Sequence, residues 1–311
     1  MHAVARFEGK IQMNTEALVQ PHYENGKWYH SHSEPDHIVE AMCIFTATHL
    51  NRLGRLVTFG QCCKYFSQDE TEQEIYQNDP PMVSTPQPSV QNIGHATLLF
   101  QVGGLNVLTD PVFDDLNPVL YPLKTKLGLT PDQLPPIDVV LLSHNHRDHC
   151  DIDSLIQLLP HQPIVLVPRG DFKLIKDLGF TQVYDHDWWT TTLISRGDEK
   201  FVFHAVPACH WSRRGAFDAH ESLICSWVFK RVSDEGAIYF RGDTAVIPPL
   251  VMNQTLQFVD SPIRANFEPG GPNHRRSWME STHQSVLDSM LSHFEVTDRP
   301  EQGATYLMLH L

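Results

Sequence analysis

From Gln91 onward the chain is punctuated by short apolar or alternating runs: "ATLLFQV", "LNVLTD", "IDVVLLSH", "PIVLVP", "KFVFHAVP", "LICSWVFKR" and "GAIYFRGD". Each is closed by polar or turn residues, the pattern expected of strands. Helical spacing intervenes in "DIDSLIQLL", where Asp151 is a candidate N-cap, and in "DFKLIKDLGF", where Gly179 is a candidate stop. "STHQSVLDSMLSHF" predicts a further helix near the C-terminal end. Many strands, fewer helices and polar groups placed at strand ends predict an α/β (α+β) fold of two packed sheets with helices outside.

The first 90 residues read differently. Residues 1–36 are polar, rich in His and aromatics, and show no period. Residues 37–59 place Ile38, Met42, Phe45, Leu53 and Leu56 at roughly helical spacing. Such a segment predicts a helix packed on the main domain, with docking on a membrane or lipid as the sharper alternative. "NDPPMVSTPQPS", at 78–89, carries four prolines and predicts a linker or covering loop. The expected division is therefore an N-terminal extension over 1–90 and a main domain over 91–311.

The formal net charge of −14 repels phosphate backbones, so nucleic acid is not the expected partner. Six cysteines without a CxxC pair, and an opening "MHAVARFEGKIQMN" without an apolar core, predict a reducing, cytoplasmic setting. No apolar run reaches the ~18 residues that span a bilayer, so any membrane contact is expected to be peripheral.

Candidate chemistry concentrates in "SHNHRDHCD", residues 143–151. His144, His146, Asp148 and His149 cannot share one helical face, where neighbours are three or four apart. In a loop at a strand end they can converge on a common centre. Imidazole and carboxylate together suit zinc, with iron or manganese as alternatives. Later strand ends offer His210 in "FHAVPACHW", Asp243 in "AIYFRGDTAV" and His310 in "TYLMLHL".

This ordered set, HxHxDH as "HNHRDH", a later His, "GDT" and a final His after a strand, resembles the metallo-β-lactamase superfamily. "IGHATLLF", "LTDPVF", "LPPIDVVLLSHNHRDHCD", "DWW", "PACHWSRR", "CSWVF" and "FEP" are similar to the N-acyl-phosphatidylethanolamine-hydrolysing phospholipases D within it. The resemblance implies an αββα sandwich of two mixed sheets with a binuclear centre, taken as two Zn²⁺, at one edge. It implies that His144, His146 and His210 hold one metal, and that Asp148, His149 and His310 hold the second, with Asp243 bridging. The last ligand is a choice between His283, in "STHQS", and His310. The resemblance favours His310 and sets His283 against the reacting phosphate or leaving group. Asp110 and His95 are implied to orient ligands from behind.

The activity so implied is hydrolysis of N-acyl-phosphatidylethanolamine to N-acylethanolamine and phosphatidic acid through a bridging hydroxide, with Asp148, Asp243 and His283 as its catalytic groups. A phospholipid substrate needs an apolar groove, for which residues 38–57, Trp188, Trp189 and Trp211 are candidates, although for any single tryptophan ordinary core packing is the expected use. Arg147 departs from the resemblance, which has Tyr in animal enzymes, and is a candidate to pair a phosphate. His274, Arg275 and Arg276 lie in a longer loop than the relatives carry and are candidates for an anionic head group. The alternatives are another hydrolase on the same scaffold, such as a sugar-phosphate lactonase or nuclease, and a non-catalytic metal-binding scaffold; a homodimer is compatible with each.

Overall fold

The computed structural model describes residues 3–7, 18–29, 88–114, 127–271, 282–296 and 304–308. The segment at 37–59, most of the proline-rich stretch, His274, Arg275, Arg276 and His310 lie outside the described residues.

Two mixed sheets form the body. The first has six strands, β4 (Ser89–Gly94), β5 (Thr97–Val102), β6 (Leu105–Thr109), β7 (Val139–Leu141), β8 (Ile164–Pro168) and β9 (Gln182–His186), in chain order. Its first three strands are antiparallel and the rest parallel. The second has seven, β1 (Ala3–Phe7), β10 (Thr190–Arg196), β11 (Glu199–Val206), β12 (Ser226–Arg231), β13 (Ala237–Phe240), β14 (Ile263–Pro269) and β15 (Ala304–Met308), in that spatial order. It is antiparallel as far as β13 and parallel from there to β15.

Alternation along the strands explains the layers, because successive side chains point to opposite faces. On β5, Leu98, Phe100 and Val102 enter the core between the sheets, while Leu99 faces outward. On β7 and β8, Val139, Leu141, Ile164 and Leu166 point inward, and Val140, Val165 and Val167 point out. Both sets are buried, as expected of central parallel strands covered on two sides. Phe100 meets Phe229 and Phe267 edge-on across the sandwich, at centroid distances of 5.3 and 4.8 Å.

Helices α1 (Ile152–Gln157) and α2 (Phe172–Lys176) cover the outer face of the six-stranded sheet through Leu155 and Ile175. Asp151 caps α1 as expected, its carboxylate accepting from the Ser154 amide at 2.9 Å. Gly179 sits three residues beyond α2 at φ +108°. On the other sheet, α3 (Pro249–Val259) packs Phe258 against Trp189 and His204, and α4 (Val286–Val296) lies on β14 and β15.

The N-terminal region departs from the expectation of an aperiodic stretch. Residues 3–7 add an edge strand to the seven-stranded sheet, and β2 (His22–Glu24) with β3 (Lys27–Tyr29) forms a hairpin. Asn25 and Gly26 turn it at φ +52° and +79°, as Asn-Gly does in tight hairpins. The hairpin is fixed by the Trp28 amide donating to the His220 carbonyl at 2.6 Å and by Tyr29 stacking on His220. Both pieces therefore contact elements of the main domain.

Candidate metal centre

The centre lies where strand ends converge. β7 stops at Leu141, and the next three residues deliver Ser143 and His144. The loop then closes as a turn, with the amides of His149 and Cys150 both donating to the His146 carbonyl. Its outer anchors come from other elements. The Trp227 indole donates to the Leu142 carbonyl at 2.8 Å, and the Cys225 amide to the Ser143 carbonyl at 3.0 Å. Arg214, from the stretch that carries His210, donates to the carbonyls of Asn145 and Cys150 at 2.9 and 2.5 Å. One guanidinium thus ties the two ligand-bearing loops together. Beneath them, Asn145 and Ser222 both donate to the buried carboxylate of Asp171.

Asp243 arrives through a turn that only glycine can make. Gly242 has φ +60°, and a Cβ there would lie 2.5 Å from the Ser143 Cβ. Thr244 then joins three segments: its hydroxyl accepts from the Cys209 amide, and its carbonyl accepts from the Gln284 amide. His210, Asp243 and His283 are brought to one place by these bonds.

Three imidazoles form the first group. His144 Nε2 lies 2.8 Å from His146 Nδ1, and His210 Nε2 lies 3.1 Å from the same atom. A tetrahedral zinc with ~2.0–2.1 Å bonds separates its nitrogens by roughly 3.3 Å. The remote nitrogens decide which atoms carry hydrogen. His210 Nδ1 is 2.8 Å from the Thr282 carbonyl, an acceptor only, so it is protonated and Nε2 holds a lone pair. Ser143 Oγ donates to Asp110 Oδ2 at 2.6 Å and so accepts from His144 Nδ1 at 2.9 Å, which leaves the His144 Nε2 lone pair facing inward. Two lone pairs therefore converge on His146 Nδ1, where one proton could satisfy only one of them. Burial, aided by the neighbouring imidazoles, pushes His146 down to about 3 and His144 well below the usual histidine range. Neutral imidazoles with converging lone pairs fit a cation.

The second group is acidic. His149 Nδ1 donates to Asp110 Oδ2 at 2.9 Å, and its Nε2 faces Asp243 Oδ2 at 3.2 Å. Burial alone would lower the His149 pKa, but Asp243, Asp110 and Asp148 together raise it well above normal. These carboxylates demand positive charge at that nitrogen. Asp243 Oδ2 also lies 3.8 Å from His210 Nε2 and 3.6 Å from His283 Nδ1, so one carboxylate faces donors from both groups. Every described donor set is drawn from His95, Asp110, His144, His146, Asp148, His149, His210, Asp243 and His283.

One expectation is corrected. His95 does not stand behind the ligands: its Nε2 is 3.3 Å from His149 Nε2 and 3.7 Å from Asp148 Oδ2, among the donor atoms themselves. Trp188 and Trp189 follow the ordinary expectation of core packing and do not line a groove. Both are buried, with their indole hydrogens donated to the carbonyls of Ile224 and Val19. Trp211 does flank the site, edge-on to His146 at 4.8 Å. Arg147 is exposed, and its guanidinium donates to the Arg214 carbonyl at 3.4 Å. Cys150, Cys209 and Cys225 are buried free thiols. Among the described residues no helix is long and apolar enough to cross a membrane. The clamp of Arg214 on the loop, the Asn145–Asp171–Ser222 support and the Trp28–Tyr29 hairpin escaped sequence reasoning; only "NG" in "HYENGKWY" signalled any of them.

The profile of the beta-lactamase superfamily domain matches residues 105–288. A protein of Saccharomyces cerevisiae named N-acyl-phosphatidylethanolamine-hydrolyzing phospholipase D, mitochondrial, is 32% identical over 159 residues, covering 50% of this chain and 34% of its own length. An uncharacterized protein of Mycobacterium tuberculosis is 30% identical over 231 residues, covering 72% of this chain and 58% of its own. The chain thus spans between a third and three fifths of these relatives. Among solved structures, CmlA from Streptomyces venezuelae, described as a diiron β-hydroxylase, superposes over 72% of this chain and 45% of its own with a TM-score of 0.51 at 21% identity. With the mixed-sheet sandwich, the histidine–aspartate centre at its edge and a matched domain running from β6 into α4, the chain belongs to the metallo-β-lactamase superfamily.

Proposed function

We propose that this chain is a metal-dependent phosphodiesterase of phospholipase D type, acting on N-acyl-phosphatidylethanolamine to release N-acylethanolamine and phosphatidic acid. The observation that carries a two-metal reading is the position of Asp243, whose Oδ2 faces His149 at 3.2 Å on one side and His210 at 3.8 Å on the other. The substrate class is supported by the yeast relative of that name. His144, His146 and His210 would hold one ion; Asp148, His149 and His310 the second; Asp243 would bridge. A pair of zinc ions there would bring a shared water to a pKa near ~7 and neutralise charge developing on phosphoryl oxygens.

The chain's own groups supply position and proton traffic. Asp110, Ser143 and the Thr282 carbonyl hold the imidazole lone pairs inward. Water attacks phosphorus, the bond to the ethanolamide oxygen breaks, and His283 hands a proton to that leaving oxygen. Asp148 and Asp243 keep the attacking water oriented. Arg147, exposed at the rim, pairs a phosphate oxygen, and Trp211 borders the path of the lipid. A peripheral contact with the lipid surface belongs to the same reading.

The test is turnover by the metal-loaded chain, with zinc and iron compared, on N-acyl-phosphatidylethanolamine beside phosphatidylethanolamine, a sugar-phosphate lactone and a cyclic nucleotide. Release of N-acylethanolamine with phosphatidic acid is expected. An intact lipid alongside a hydrolysed lactone or nucleotide would overturn the substrate assignment.

A further inference from the structure

The turn between β4 and β5 places a histidine where a turn residue would be easier. Gly94 pairs with Thr97, leaving His95 and Ala96 as the loop, and His95 has φ +48°. A non-glycine residue held there is strained and persists only where its surroundings over-determine it, and Asn or Gly would make the turn more easily. The surroundings do fix it. Thr97 Oγ1 donates to the Asp110 carbonyl at 2.8 Å, and Thr109 Oγ1 donates to the Ala96 carbonyl at 2.8 Å. The turn is thereby bolted to the strand end that carries Asp110, and the His95 ring is delivered into the second donor group.

What the ring meets there is a convergence of acceptors. His149 donates through Nδ1 to Asp110, so its Nε2 presents a lone pair when the ring is neutral. That lone pair faces Asp243 Oδ2 at 3.2 Å and His95 Nε2 at 3.3 Å, and His95 Nε2 lies 3.7 Å from Asp148 Oδ2. Hydrogens can bridge these atoms only in pairs, whereas a cation is met by both imidazoles and the Asp148 carboxylate at once. The donor atoms of His95, Asp148 and His149 all lie within 4.8 Å of one another, with Asp243 Oδ2 beside His149 Nε2; ligands on an ion with ~2.0–2.1 Å bonds stand roughly 3.3 Å apart.

We propose that His95 is itself a ligand of the second metal ion, alongside Asp148, His149 and Asp243, so that this ion is anchored from the β4–β5 turn as well as from the HNHRDH loop. The inference rests on the two-metal reading above, but not on its substrate.

The experiment is stepwise titration of the full chain, stripped and then reloaded with Co²⁺, following d–d absorption and bound equivalents by elemental analysis. Wild type is compared with His95→Asn, which tolerates the left-handed backbone, and with His95→Gly, which relieves it. Expected are two equivalents in wild type. In both variants the first equivalent should bind normally, while affinity for the second falls at least ~100-fold, the upper end of what even an outer partner costs, and its absorption bands change. Two equivalents in the variants with wild-type affinity and an unchanged spectrum would overturn the proposal and leave the two-metal reading intact. Fewer than two equivalents in wild type would overturn both. Normal first-site binding by the variants serves as the check on folding.

Discussion

Replacing Asp110 with Asn removes one charge and almost no volume, yet the structure predicts that it rewires both donor groups. Asp110 is fully buried and accepts three hydrogen bonds: from the Ser143 amide at 2.7 Å, from the Ser143 hydroxyl at 2.6 Å and from His149 Nδ1 at 2.9 Å. In the amide, Oδ1 still accepts from the Ser143 backbone, but the other terminus can only donate. Donating to His149 Nδ1 moves that ring's hydrogen to Nε2, the atom that faces Asp243. Donating to Ser143 Oγ sends the hydroxyl hydrogen on to His144 Nδ1, and the His144 hydrogen moves to Nε2 as well. One ligand in each group would then present N–H where a lone pair is needed.

Partners of this kind are worth 10–100-fold in metal affinity, or about 1.4–2.7 kcal/mol per site. With His149 neutral, as it is when a metal is bound, the two bonds at that terminus survive with their direction reversed. In the metal-free protein, however, the surrounding carboxylates hold His149 in its charged form, so the variant also breaks a buried charge pair there, at a cost of about 3–5 kcal/mol. Burial already raises the Asp110 pKa, so the neutral amide escapes a desolvation cost. Competition with a chelator measures both affinities, urea unfolding of the stripped protein measures stability, and imidazole ¹⁵N shifts read the tautomers directly. Affinities within threefold of wild type at both sites, with shifted tautomers, would refute the reasoning.

Gly242→Ala combines a left-handed backbone with a Cβ 2.5 Å from Ser143; thermal unfolding should show a loss of about 2–5 kcal/mol. Arg214→Ala should weaken metal retention about tenfold in a chelator assay, because the loop loses two charge-assisted bonds. Arg214→Lys should recover only part of it, since an ammonium lacks the planar fork. For pH, burial pushes His204 down to about 4, so the unfolded chain takes up that proton first. Its contribution is complete above about pH 6.5 and is lost as pH falls toward 4. Between pH 7 and 5, wild type should lose about 2 kcal/mol more than His204→Gln in urea unfolding; parallel curves would remove His204 as the cause.

The legible parts of the fold were those in which one residue type at one spacing has a single use. Alternating apolar runs ending in polar groups announced β5, β6, β8 and β11, and "DIDS" announced the cap of α1. Strands that are polar on one face were less visible. "TTTLISR" and "IRANFEP" carry few apolar residues, because β10 lies next to the sheet edge and β14 buries Glu268 against Arg241 and Asn266 against Glu268. The HNHRDH loop could be read because four potential ligands in six positions have little other use.

His95 shows why the rest of the site could not be read the same way. A lone histidine after glycine has many ordinary uses, and nothing local separates an outer support from a group aimed at the centre. The distinction depends on contacts with Thr97, Thr109 and Asp110, residues 2, 14 and 15 positions away along the chain, which fix where the turn points. The same holds for hydrogen direction. Ser143 and Asp110 are small polar residues at strand ends, yet together they decide which nitrogen of His144 and of His149 is free to bind. Motifs name the ligands; the backbone between them sets their protonation. Substitutions that spare every ligand and change only this wiring should therefore discriminate best between a built metal centre and a chance gathering of histidines.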